Sequence, residues 1–397
     1  MNPTIIQKIS SEPFRLFFPL GTLIALVGIS YWPLLQWYPQ FYHAPFPFHS
    51  NLMIDGFVFS FVMGFLTTAV PRFTRAAHFT ILEVMSLLIL LLAAGLATLS
   101  QQFWWHHLIF LANLVVLIIF LGKRFFARSQ NPPFTFVYLP FGFAAGLLGN
   151  ILFLFFPVWE NLAKAYLFQG MVLFFLMGVG GFLIRSILGW AESLPESKND
   201  KLPTFRSPKK QLFLHLGLAS SIFLSFLVES FIAAPLGLGL RALLVTMVVF
   251  IQMKIYRKSP SGKLTAYALQ TSLWLLVVGF WGAAFLPPQY RVGFLHFCFV
   301  GGFSLSTFSI ASRVILSHCG YSQLLKGRFL PFSIAVVLIV LASLVRISAN
   351  LFPEVYTSHL SYASITWSLG VLIWIYAILW KAIKSTLTSP LDNHNAC

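Results

Sequence analysis

Long apolar runs separated by short polar segments dominate the sequence of this chain. A helix needs about 20 apolar residues to cross the hydrocarbon core of a bilayer. Windows of about that length occur near residues 16–37, 50–71, 79–99, 103–122, 134–156, 165–186, 211–234, 236–253, 266–286, 291–312, 329–350 and 359–380. The pattern therefore predicts an all-α, polytopic integral membrane protein with twelve transmembrane helices.

One polar segment divides the predicted helices into six plus six. Residues 190–210 are rich in Glu, Ser, Lys, Asn, Asp and Pro, which is typical of a solvated linker. We therefore interpret residues 1–397 as a single transmembrane domain, with a first half over 1–189, a cytoplasmic linker over 190–210 and a second half over 211–397.

Composition and charge support the membrane interpretation. The chain is 58% hydrophobic and 9% charged, whereas soluble domains carry about 25% charged residues. The formal net charge is +16, but its basic residues are scattered between apolar runs, and nucleic-acid binding needs them clustered on one face. With both termini cytoplasmic, the only basic residues outside are Lys164, Arg241, Arg291 and Arg346. This distribution follows the positive-inside rule, so we expect the lipid bilayer, and no nucleic acid, as a partner.

Glycine pairs followed by phenylalanine recur in even-numbered predicted helices. Gly180-Gly181-Phe182 and Gly301-Gly302-Phe303 are the two full examples, and Gly64-Phe65 is a shorter one. Such glycines mark either close helix packing or an internal duplication of the kind found in transporters. We favour packing.

Polar side chains inside the predicted helices are the candidates for chemistry, because hydrocarbon tolerates few of them. His296 lies within the tenth helix, and His49 precedes the second. At helical spacing, His49 and Met53 share one stripe with small residues, beside which a flat macrocycle could approach the backbone. The alternative for His49 is a helix-capping histidine above a packing groove. His43, His106 and His107 are expected at the outer surface as reserve ligands.

Two carboxylates fall within the predicted helices, Asp55 in the second and Glu229 in the seventh. An ionised acid there needs a partner. For Asp55 we expect Arg346 or a backbone amide. A role in proton relay is the alternative.

Several motifs resemble the NnrS family of bacterial membrane proteins. The hallmark helix of that family is similar to Phe294-Leu295-His296, Val300-Gly301, Ser312-Arg313 and Ser317-His318-Cys319-Gly320, with the spacing matched without a gap. Phe14 to Phe18 and Gly64 to Pro71 resemble two further family motifs. The resemblance implies a multi-pass bacterial inner-membrane protein that contains haem and copper and is linked to the nitric oxide and nitrosative stress response.

The resemblance also suggests site residues. His49 and Met53 match a family His-x-His-Glu-Met motif, whereas Asn51 and Leu52 replace its second histidine and its glutamate. A copper site needs several nitrogen, sulfur or carboxylate donors, so this departure affects copper more than haem. His318 is the family-based candidate for the second metal, with a helix-end histidine stabilised by the helix dipole as the alternative. Arg313 matches the family's Thr-Arg pair.

A b-type haem needs one or two axial ligands, and His49 and His296 could provide them from the outer ends of their helices. His49 lies 23 residues before Arg72, and His296 lies 17 residues before Arg313. If these arginines were level, the two imidazoles would differ in depth by about 9 Å. Helix tilt would have to absorb that difference.

Two functions follow from these observations. The first is a haem protein that binds or handles nitric oxide or another small molecule, or protects metal centres from it, with haem-dependent redox activity left open. The second is a secondary transporter without a cofactor, which also explains six plus six helices with few charges. Protein partners are not indicated by the sequence.

Overall fold

The structure is a computed structural model that describes residues 4–41, 47–190, 209–325, 327 and 329–388. Most of the predicted linker over 190–210 lies outside these residues, and so does His43. The six-plus-six division and the role of His43 therefore stay predictions.

The described chain contains twelve helices that are long and apolar enough to cross a membrane, and we number them span 1 to span 12. They are Phe14–Trp37, Pro47–Thr74, Ile81–Leu99, Phe103–Phe126, Phe134–Phe155, Pro157–Leu188, Lys209–Phe231, Ala234–Met253, Leu264–Phe285, Pro288–His318, Leu330–Leu351 and Pro353–Leu387. Helices satisfy their own backbone hydrogen bonds, which lipid cannot do. The predicted twelve-span, all-α membrane fold is confirmed.

A short helix, Ile5–Ser11, precedes span 1 and joins the two ends of the described chain. Thr4 caps it by accepting a hydrogen bond from a backbone amide of its first turn. Lys8 donates to the carbonyl oxygens of Ser385 and Thr388 at the end of span 12, each over 2.9 Å. Both ends therefore lie on one face of the bundle, which we call the terminal face. Its cytoplasmic location stays a prediction.

The centre of the bundle is formed by spans 2, 6 and 10. In their most apolar stretches 83%, 72% and 67% of the residues are buried, compared with 28–56% in the other nine described spans. Glycines allow this close approach. A Cβ atom at Gly301 would lie 2.7 Å from the side chain of Leu275, and one at Gly181 would lie 2.4 Å from that of Gln252. These contacts support our interpretation of the glycine pairs as packing positions.

The same three spans contain π-helical segments near the face opposite the terminal face. The segments are Leu52–Val58, Ala165–Met171 and Phe297–Ser304, and span 12 carries a fourth over Ile375–Leu379. π-Helical turns are rare and occur frequently at functional sites. Their presence in all three central helices indicates a functional site in this half of the bundle.

Candidate functional site

A cavity of about 260 Å³ lies between spans 1, 2, 6, 10, 11 and 12. Its volume lies just below the roughly 300–1,000 Å³ typical of small-ligand sites. The π-helical segments of the three central spans supply much of its wall, including Met53, Phe57, Phe168, Gln169, Phe299 and Phe303. Irregular helical turns therefore shape the cavity directly.

His49 and His296 both line this cavity. His49 Nδ1 lies 3.0 Å from the carbonyl oxygen of Gly28, and His296 Nδ1 lies 2.7 Å from that of Val292. A carbonyl oxygen only accepts hydrogen bonds, so each neutral ring carries its proton on Nδ1. Neither Nε2 atom makes a hydrogen bond to the described residues. Each imidazole is thus oriented as metal-ligating histidines commonly are, with one nitrogen tied to a carbonyl.

The remaining wall is aromatic and apolar, with two cations. The ring of Trp32 meets the ring of His49 edge-on, with 5.5 Å between centroids. Lys164 and Arg346 also line the cavity. Lys164 pairs with Glu160 over 2.6 Å, and Arg346 donates to the side chain of Asn350 over 2.8 Å. The cavity thus combines two imidazoles and a thioether, Met53, with an apolar interior and positive charge.

Asp55 lies outside this cavity and is 1% exposed. Our expectation that it would meet Arg346 or a backbone amide is wrong, because its Oδ2 atom lies 2.9 Å from His106 Nε2. His106 and His107 are also not at the surface as expected, since they are 2% and 6% exposed. Spans 2, 3 and 5 cover the start of span 4. The sequence of one apolar window does not predict which helices pack against it.

These three side chains form a second polar site. One ligand atom from each of Asp55, His106 and His107 lies within 4.8 Å of the others, so the group could hold a metal ion. The sequence singles out each of these residues but does not bring them together. The adjacent pair of histidines at a helix start was the available signal.

His318 lies in an ion cluster on the terminal face. Its Nδ1 atom is 2.7 Å from Glu12, and Arg72 contacts both the ring and Glu12. Burial by itself raises the pKa of the Glu12 carboxyl. The hydrogen bond and charge of His318, the charge of Arg15 and the hydrogen bond from Arg72 outweigh it and lower the pKa from 4.5 to about 2. Arg313 is half-buried and does not line the cavity. Metal binding by His318 and a role for Arg313 stay predictions.

The second predicted buried acid, Glu229, has a partner as expected. Arg241, which is fully buried in span 8, donates to it over 2.5 Å. The same guanidinium donates to Gln169 on the cavity wall over 2.8 Å. This network ties span 6 to spans 7 and 8 beside the cavity.

The fold and the site together define a class: a polytopic membrane protein with a histidine-lined cavity in one half of its helical bundle. The chain belongs to the NnrS family, described as NnrS protein, whose profile matches residues 8–383. Comparison with curated proteins gives no match. Family membership supports a membrane protein related to the nitric oxide response, in a family known for haem and metal binding.

Proposed function

We propose that this protein binds a b-type haem in the cavity between His49 and His296 and uses it to bind or handle nitric oxide in the bacterial inner membrane. The observation that carries the proposal is the pair of imidazoles in one cavity, each with Nδ1 at a backbone carbonyl and Nε2 without a hydrogen bond to the described residues. Two such nitrogens are the ligand set that a bis-histidine haem needs.

The other cavity residues suit the same ligand. The aromatic walls, including Phe57 and Trp367, would exclude water from a flat macrocycle. Lys164 and Arg346 would face the two carboxylates that a b-type haem carries, which gives these cations a role at the edge of an apolar cavity. When bound, the haem would supply one-electron chemistry, and nitric oxide could bind to its iron in place of one of the two histidines.

We do not assign copper to this cavity. His49 and Met53 line it. Asn51 and Leu52 do not line it, and neither an asparagine nor a leucine is a strong copper ligand. The donors that copper could use there, His49, His296 and Met53, include both proposed haem ligands, so we assign the cavity to haem.

The proposal is tested by the visible spectrum of the purified protein, reduced minus oxidised, with haem content measured on the same sample. Wild type, His49→Gly and His296→Gly are compared with His359→Gly. His359 is the matched control because it lies near the same face, bonds to Ser348 and does not line the cavity.

We expect a low-spin haem spectrum in wild type and in the control variant. It should be lost or converted to high spin in both cavity variants and restored by added imidazole, which can occupy the space left by the ring. Nitric oxide added to the reduced wild type should shift the Soret band. A folded wild type that binds no haem would overturn the proposal and leave the cofactor-free transporter as the better account.

A further inference from the structure

The buried group of Asp55, His106 and His107 lies outside the cavity proposed for haem. Asp55 comes from span 2, and the two histidines come from the start of span 4. None of the three lines the large cavity. The group is therefore a polar site separate from that cavity.

The neighbours of His107 determine which of its nitrogens carries the proton. Its Nδ1 atom lies 3.0 Å from Asn150 Oδ1, while the amide nitrogen of Asn150 donates to the carbonyl of Gly146 over 2.8 Å. The amide is thus held with its oxygen toward the imidazole, so Nδ1 donates the hydrogen bond. The ring is fixed further by stacking on Phe153, with 4.3 Å between centroids. His107 Nε2 is left as an unprotonated lone pair in a buried site.

His106 presents a lone pair in the same way. Its Nδ1 atom lies 3.0 Å from the carbonyl oxygen of Ala94 and 2.7 Å from the hydroxyl of Thr98. The carbonyl can only accept, which favours a proton on Nδ1 of the neutral ring, with the Thr98 hydroxyl as a second partner that can donate or accept. His106 Nε2 then points its lone pair at Asp55 Oδ2, 2.9 Å away. Two lone pairs at that distance require a shared cation, either a proton between them or a metal ion bound to both.

The second carboxylate oxygen distinguishes these two cations. Asp55 Oδ1 is buried and has no hydrogen-bond partner in the described chain. A proton shared with His106 would satisfy Oδ2 alone, and it would leave the buried Oδ1 atom unmatched, at a substantial desolvation cost. Asn51, one turn earlier on the same side of span 2, is buried with both amide atoms unpaired. The polar atoms here are arranged for a ligand that accepts several lone pairs.

We propose that Asp55, His106 and His107 bind a first-row transition-metal ion, with two imidazole nitrogens and one carboxylate as ligands. Imidazole with carboxylate suits zinc, copper and iron among these ions. The contacts of Ala94 and Asn150 with the outer ring nitrogens supply the outer-shell hydrogen bonds that orient ligating histidines. Asn150 is thus a positioning residue.

The site is tested with zinc as the probe. Purified full-length protein is stripped with a chelator, loaded with Zn²⁺ and washed, and bound zinc is counted by plasma mass spectrometry. Zinc K-edge X-ray absorption on the same sample reports the ligands, expected as nitrogen and oxygen at about 2.0–2.2 Å. Neither measurement depends on haem or on activity.

Asp55→Asn and His107→Gln test the ligands, and Asn150→Ala tests the outer shell. His215→Gln is the matched control, because His215 is a buried histidine that bonds to Tyr138 elsewhere in the bundle. We expect one zinc ion per chain in wild type and control, loss in both ligand variants, and about 10–100-fold weaker binding in Asn150→Ala. His49→Gly should retain the zinc, which separates this site from the haem proposal.

His107→Gln keeps the Asp55 to His106 contact, so it remains informative if Asp55→Asn does not fold. Wild-type protein that retains no zinc would overturn the proposal and leave a proton-bridged ion pair. Equal zinc in wild type and in folded His107→Gln would overturn it as well, because the metal would then bind elsewhere.

Discussion

Arg241 provides the sharpest prediction about the stability of the bundle. Its side chain is 0% exposed, and it donates to Glu229, Gln169 and Ser225 over 2.5, 2.8 and 3.2 Å. Its guanidinium carbon also lies 3.6 Å from the ring centroid of Phe226. Each of the three guanidinium nitrogens therefore donates to span 6 or span 7.

Replacing Arg241 with Met removes the cation and leaves the carboxylate of Glu229, which is 17% exposed, without its partner. Breaking one side of a buried pair costs about 3–5 kcal/mol, mostly because an uncompensated charge remains. The lost cation–π contact, about 2 kcal/mol in a desolvated site, is part of this cost and is not added to it. In the double variant Arg241→Met, Glu229→Leu no charge remains, so the destabilisation should fall well below that of the single variant.

The free energy of unfolding is measured by denaturant titration in mixed micelles for both single variants, the double variant and Lys258→Met. Lys258 is exposed, so its loss should change stability by no more than about 0.5 kcal/mol. If Arg241→Met is as mild as Lys258→Met, or if the two single effects add in the double variant, the buried pair is not the reason for the arginine.

Three further predictions concern other parts of the bundle. The pKa of Glu12 is lowered from 4.5 to about 2. Its ion cluster should therefore stabilise the folded state fully above pH 4.5, and this stability should be lost as the pH falls toward 2. The melting temperature measured against pH should show this loss in wild type and a flatter profile in Glu12→Gln. Gly301→Leu should lower the free energy of unfolding by about 1–3 kcal/mol through overpacking. Gly217→Leu should not, because no atom lies within 4 Å of its added Cβ. Both are measured by the same denaturant titration. Ser312→Ala removes the acceptor of the buried Trp374 indole, 2.8 Å away, and should cost about 1–3 kcal/mol; equal stability with wild type would contradict that assignment.

The sequence by itself determined the helices of this protein. Apolar runs of about 20 residues form helices in lipid, because the backbone must satisfy its own hydrogen bonds there. For the same reason it identified the exceptional polar residues, and it correctly required a partner for Glu229. His49 and His296, which it offered as ligands of one haem, line one cavity in the structure.

The tertiary structure decided what these residues meet. Counting along the helices gave the two histidines different depths, but depth follows from residue count only when helices are parallel and regular. Both spans contain π-helical turns, which a 3.6-residue pattern does not reveal. Asp55 meets His106 instead of Arg346 because span 4 packs beside span 2 there. Which helix faces which is set by the packing of the whole bundle, and no single apolar window carries that information.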